Sequence, residues 1–311
     1  MYSTILVPLD GSERAEIIIP YVKQLAQKEN VHVVFTQVIE PKVRSAILNL
    51  EKDRNLAYPL QNIDQVQDYL MGWKHQFQQQ GLSADILLLR GVAVEGILQA
   101  VEFTNADLVA MTSQGKTGLA RALYGTVTSG VLNKIHCPLL VTQSQKSEKL
   151  PQINQILIPL DGSQRAEKVI DYAVIISQLY QAKIILLQVV RRGYQTTTIQ
   201  DLDSEINDES VAKDIFKRLE QNQEIERIKQ TREYLLDIRS QLQSQDLTVD
   251  AHLMYGRPIE SIITLANDLN IDLITITNQG RTGLSKVLYG SVASGVLNAS
   301  NRPLLIVPTS Q

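Results

Sequence analysis

Short apolar runs alternate with amphipathic stretches along this chain, and the alternation predicts an α/β fold. In the first half, Thr4–Val7 is an apolar run, a helical pattern covers about Ser12–Lys28, and Val31–Val38 is a second apolar run. After a longer polar stretch, Ile63, Val66, Leu70, Trp73 and Phe77 recur at helical spacing. Ala84–Leu89 predicts a third strand, Val94–Phe103 a helix and Leu108–Met111 a fourth strand. Ser129–Lys134 lies in a further helix and Leu139–Thr142 forms a fifth strand. Continuous apolar runs between amphipathic helices imply strands buried on both faces, and hence a parallel sheet. Right-handed crossovers make such a sheet doubly wound.

The same pattern is written twice. Residues 5–16 read ILVPLDGSERAE and residues 156–167 read ILIPLDGSQRAE, an offset of 151. Residues 112–133 read TSQGKTGLARALYGTVTSGVLN and residues 277–298 read TNQGRTGLSKVLYGSVASGVLN, an offset of 165. Gly91-x-x-x-Glu95 and Gly256-x-x-x-Glu260 keep the second offset, as do Cys137–Val141 and Arg302–Ile306. The order of blocks is preserved, so a whole domain is duplicated. The expected domains are 1–146 and 152–311, with the polar stretch Ser144 to Pro151 as linker. The second copy has 14 more residues between the two blocks. They fall within 191–245, where TTTIQDLDSEINDES precedes a long helical pattern. That reads either as an excursion covering the site or as a solvated loop.

Bulk properties narrow the function. At 44% hydrophobic, 20% charged and net charge −3, the chain lacks the basic excess of a nucleic-acid binder. Its four histidines, His32, His75, His136 and His252, show no metal-ligand spacing. One cysteine, Cys137, makes no internal disulfide, which suits a reducing compartment. Ile5-Leu6-Val7 runs straight into Pro8 without a leader pattern, and no apolar run nears the roughly 18 residues of a membrane span. A cytoplasmic protein without membrane contact is expected.

In open α/β sheets, ligands bind beyond the carboxyl ends of the strands, where the strand order reverses. Three segments fall there. Pro8-Leu9-Asp10-Gly11-Ser12 follows the first strand; Asp10 suits a ribose hydroxyl or an adenine amine, and Asp10 or Ser12 equally suits a helix cap. Thr112-Ser113-Gln114-Gly115-Lys116-Thr117-Gly118 follows the fourth strand, with glycines that admit a phosphate close to backbone N–H groups. Gly125-Thr126, and Gly290-Ser291 in the second copy, sit at a helix start able to hold an anion. Two familiar motifs are absent. Gly115-Lys116-Thr117 lacks the P-loop's earlier glycine, Ala110 standing in its place, and G-x-G-x-x-G occurs nowhere. Lys116 and Arg281 fit either a phosphate or a solvated surface.

These residues resemble the universal stress protein family over essentially the whole chain, as two domains. Its ATP-binding branch has G-x-x-G-x9-G-[ST]. Gly115, nine residues and Gly125-Thr126 match the latter part, as do Gly280, nine residues and Gly290-Ser291. At the first glycine stand Thr112 and Thr277, whose side chains narrow backbone access while offering a hydroxyl. The resemblance implies tandem Rossmann-like domains of the adenine nucleotide alpha hydrolase type. It implies ATP or AMP, with Mg2+ as an accompanying ion. Pro8, Leu9, Asp10, Val38 and Met111 would border adenine and ribose. Thr112, Gln114, Gly115, Gly125, Thr126 and Val127 would surround ribose and phosphates. The second copy supplies Pro159, Leu160, Asp161, Val189, Ile276, Thr277, Gln279, Gly280, Gly290, Ser291 and Val292. Family members pair through their last strands, which implies that the two domains pair within the chain and that a homodimer can form. Val141 and Ile306 lie in those strands.

No activated nucleophile, general-base pair or metal cluster is evident, so a nucleotide-binding stress-response regulator is expected rather than an efficient enzyme. A nucleotide-free dimerising interaction module, and a slow ATP hydrolase using Asp10 or Asp161, remain alternatives.

Overall fold

The structure is a computed structural model, describing residues 2–28, 30–40, 63–113, 126–143, 152–190, 209–279 and 290–309. Among these, strands β1 (Thr4–Pro8), β2 (His32–Ile39), β3 (Ala84–Arg90), β4 (Leu108–Ser113) and β5 (Leu139–Gln143) form the first half. Helices α1 (Ile19–Lys28), α2 (Ile63–Gln78), α3 (Ala93–Thr104) and α4 (Thr126–Lys134) alternate with them. The second half repeats this with β6 (Gln155–Leu160), α5 (Gln164–Tyr180), β7 (Lys183–Val190), α6 (Glu209–Gln243) and β8 (Val249–Tyr255). It ends with α7 (Pro258–Asp268), β9 (Leu273–Thr277), α8 (Ser291–Ala299) and β10 (Leu304–Val307).

All pairings within each half are parallel, in the order β3-β2-β1-β4-β5 and its repeat β8-β7-β6-β9-β10. The order reverses between β1 and β4, and between β6 and β9, which makes each half doubly wound. Period-two alternation feeds two layers. Ile5 and Val7 join one core with α1, α2, α5 and α6, while Leu6 joins the other with α3, α4, α7 and α8. Each core runs through both halves.

The halves fuse into one ten-stranded sheet through antiparallel pairing of β5 with β10. Leu140 faces Leu305, Leu139 faces Ile306 and Val141 faces Leu304. Because Leu140 and Leu305 are repeat equivalents, a pseudo-two-fold axis passes between them. The expected pairing of the last strands within the chain is therefore present. Lys28 extends the contact: its Nζ donates to the Leu179 carbonyl at 2.9 Å and lies 4.8 Å from the Tyr180 ring centroid.

Two local differences from the sequence pattern have clear causes. The helix expected from Ser12 begins instead as a 3-10 turn, Ala15–Ile18, before α1. Pro20 has no N–H to give the Glu16 carbonyl, which accepts from Ile19 instead. The second copy has Asp171 there, and α5 runs unbroken from Ser163, which caps it. The extra length of the second copy lies in α6, 35 residues against 16 in α2. The TTTIQDLDSEIND stretch and the linker lie outside the described residues.

Close helix contact is made through glycine. A Cβ on Gly295 would sit 2.1 Å from Ile259 Cδ1, and one on Gly130 would sit 2.6 Å from Val94 Cγ2. Gly295→Val is expected to force α7 from α8 and cost about 1–3 kcal/mol by overpacking. Ile259→Ala in the same chain should recover part of it, in urea unfolding. A loss unaffected by Ile259→Ala would place the strain elsewhere.

Candidate functional site

The carboxyl ends of β1 and β4 meet at the first switch point, and those of β6 and β9 at the second. The turn leaving β1 is built by Asp10-Gly11-Ser12. Gly11 has φ +81°, a left-handed conformation suited to glycine. It turns the chain so that Asp10 Oδ1 accepts from Ser12 N at 2.9 Å and from Ser12 Oγ at 2.6 Å. Ser12 Oγ then accepts from Ala15 N at 3.2 Å, just ahead of the 3-10 turn. The second copy repeats the arrangement. Gly162 has φ +78°, Asp161 Oδ1 accepts from Ser163 N at 3.0 Å and Oγ at 2.6 Å, and Ser163 Oγ accepts from Ala166 N at 3.2 Å. Ser163 caps α5, Ser12 makes the equivalent bond before the 3-10 turn, and the aspartates brace both serines. In both copies the aspartate accepts through Oδ1 from the serine two residues on.

The other walls match in pairs. Leu9 and Leu160 are buried, Pro8 and Pro159 half-buried. Val38 and Val189 are half-buried near the ends of β2 and β7, on the face of Met111 and Ile276, which are buried. Val127 and Val292 pack against the same core from the first turns of α4 and α8. The α8 start leaves the N–H groups of Ser291, Val292 and Ala293 without intrahelical acceptors, a geometry that suits an anion. Thr126 begins α4. Gln114, Gly115, Lys116, Gly125, Gly280 and Arg281 lie outside the described residues.

The two threonines at the first motif position behave differently. Thr112 Oγ1 donates to the Ala15 carbonyl at 3.2 Å and lies 3.1 Å from Thr142 Oγ1. Val307 stands at the equivalent of Thr142, and Thr277 Oγ1 donates locally to the Gln279 carbonyl at 3.0 Å. Beside it, buried Asn278 accepts through Oδ1 from Thr309 N at 2.9 Å and Thr309 Oγ1 at 3.0 Å. The Asn278 carbonyl accepts from Gly290 N at 2.6 Å, which ties the start of α8 to the end of β9. A Cβ on Gly290 would lie 2.9 Å from that carbonyl, so glycine is required there by contact. Ala15, Thr142, Asn278 and Thr309 were not apparent from the sequence as site neighbours. Only Ser12 and Ser163 gave a signal, through their recurrence after Asp-Gly.

Among the described residues, no group of three His, Cys, Asp or Glu side chains is placed to hold a metal ion, and no helix is long and apolar enough to cross a membrane. Cys137 sits at the opposite end of the sheet, before β5. Burial pushes its thiol up to about 12, which keeps it protonated and unreactive. Folded protein at pH 8 should react with iodoacetamide at least about tenfold more slowly than in guanidinium; equal rates would contradict this.

The sequence profile of the Universal stress protein family matches residues 1–143 and again residues 152–308. Universal stress protein MJ0531 of Methanocaldococcus jannaschii is 29% identical over 150 residues, covering 48% of this chain and 86% of that protein. Universal stress protein Rv2005c of Mycobacterium tuberculosis is 25% identical over 213 residues, 68% of this chain and 65% of that protein. In fold, the chain is similar to a putative universal stress protein of Pseudomonas aeruginosa, with TM-score 0.67 and 16% identity over 99% of this chain and 93% of that one. A universal stress protein of Archaeoglobus fulgidus gives TM-score 0.62 and 18% identity, over 98% and 96%.

Proposed function

Because the chain belongs to the universal stress protein family in both halves, we propose that its stress-response role works through binding an adenine nucleotide, ATP or AMP. Up to two are bound, one at each switch point. The observation that supports this most is the repetition of a whole constellation. The Asp-Gly-Ser turn recurs with its hydrogen bonds reproduced to 0.1 Å. It lies beside the same half-buried prolines and valines, in a chain that also repeats Gly-x9-Gly-[Thr/Ser]. A capping turn alone explains the serines. It does not account for the matching apolar wall at Val38 and Met111 or Val189 and Ile276. In this reading that wall takes adenine, Asp10 and Asp161 take ribose, and the helix starts at Thr126 and Ser291 take phosphate. Mg2+ would accompany the phosphates.

The proposed nucleotide acts as a signal rather than a substrate. A second reading, a nucleotide-free scaffold, draws on Thr112, whose hydroxyl is already bonded to Ala15 and faces Thr142. Heat-denaturing the purified protein and chromatographing the supernatant separates the two. The nucleotide reading gives an adenine nucleotide that co-elutes with ATP or AMP, or a chain that binds one on addition. The scaffold reading gives neither.

A further inference from the structure

We propose that Ser261 is a specificity-determining residue of the second candidate site, where its hydroxyl reads the 6-amino edge of a bound adenine; this rests on the two-site reading above. In the sheet, β9 lies on one side of β6, and β7 and β8 lie on the other. The start of α8 is tied to the end of β9 through Gly290 N–H on the Asn278 carbonyl. A nucleotide with its phosphates at Ser291 and its ribose at Asp161 therefore carries its base outward, over the end of β7 and the start of α7. Val189, near the end of β7, packs against the core that contains Ile262 of α7. The base wall and α7 thus lie on the same face of the sheet.

Ser261 stands where the first half has Gly96. A Cβ on Gly96 would lie 2.7 Å from the Val38 methyl groups, so glycine lets α3 close on that valine. Ser261 carries the Cβ, and Val189 cannot sit against α7 as Val38 sits against α3. The second half therefore differs from the first at the base wall, and it has a hydroxyl there. Ser261 is 6% exposed. Its N–H goes to the Arg257 carbonyl at 3.0 Å, whereas its Oγ makes no hydrogen bond among the described residues. That Oγ is turned toward the carboxyl end of β8, where a Cβ on Gly256 would lie 3.5 Å from it. The Gly256 N–H is itself bonded to the Val190 carbonyl, at the end of β7, at 3.1 Å. A hydroxyl withdrawn from water without a partner gains a hydrogen bond when a ligand brings a donor. In adenine the 6-amino group is that donor, on the edge of the base away from the ribose. Gly96 has no side chain to make the same contact, so the contact belongs to the second site alone.

The test is calorimetric titration of nucleotide-stripped full chain with ATP and with purine riboside triphosphate, which lacks the 6-amino group. In Ser261→Ala, ATP affinity at one site should fall about fivefold, the loss of one hydrogen bond. Affinity for the analogue should change by less than about twofold, since it never made that bond. The fivefold loss should persist in Asp10→Ala protein, where the substitution falls on the first site. If Ser261→Ala does not fold, Ser261→Gly, which carries the first half's residue, serves in its place. ATP affinity unchanged by the substitution overturns the assignment and leaves the two-site reading intact. So does an equal loss for ATP and the analogue, which would mean that Ser261 only shapes the pocket. A loss that vanishes in Asp10→Ala overturns it as well. No ATP binding in wild type overturns both.

Discussion

Leu305→Asp is expected to destabilise the chain by about 3–5 kcal/mol, the cost of an uncompensated buried charge, and to do so in both halves at once. Leu305 is 1% exposed and faces Leu140 across the pseudo-two-fold axis. A carboxylate there has no described donor other than strand groups already in the ladder, so it is desolvated without recompense. Leu305→Met keeps the volume and should cost less than about 1.5 kcal/mol. Each of the two cores contains residues of both halves, so denaturant unfolding followed by circular dichroism should remain one transition that moves as a whole. Loss of only half the signal at the shifted midpoint would mean that the halves fold separately across β5 and β10.

Gly290→Val should remove the second site and spare the first. The added Cβ meets the Asn278 carbonyl at 2.9 Å, and that carbonyl also receives the Gly290 N–H. Either the hydrogen bond breaks or the start of α8 moves, and each displaces Ser291 and Val292. The expected stability cost is about 1–3 kcal/mol. In Gly115→Leu protein, where only the second site is open, ATP affinity should fall by at least about tenfold, one 1.4 kcal/mol step. Unchanged affinity there would mean that the start of α8 is not part of the site.

The parallel sheet and its duplication were legible because they depend on continuous apolar runs between amphipathic helices and on blocks repeated at fixed offsets, whereas the pairing of the last strands was implied by the family resemblance. The 3-10 start of α1 was written in Pro20 but masked by Ile17–Ile19, whose apolar character continues the helical pattern. The long helical pattern that follows TTTIQDLDSEINDES is α6, which begins at Glu209, within the last two residues of that stretch. The least legible features join residues remote in the chain. Thr112 meets Ala15 from 97 residues away, and Gln143 meets Leu297 from 154. Neither pair recurs in the other copy, where Val307 and Pro308 replace Thr142 and Gln143. The repeat therefore reveals what the two sites share, and folding reveals where they differ.

Those differences matter only if both switch points hold nucleotide. The most direct measurement is calorimetric titration of nucleotide-stripped wild-type chain with ATP and with AMP. Up to two adenine nucleotides are expected to bind per chain, reduced by one in either Gly115→Leu or Gly280→Leu. No heat of binding at millimolar nucleotide, from protein whose unfolding shows it to be intact, would contradict it.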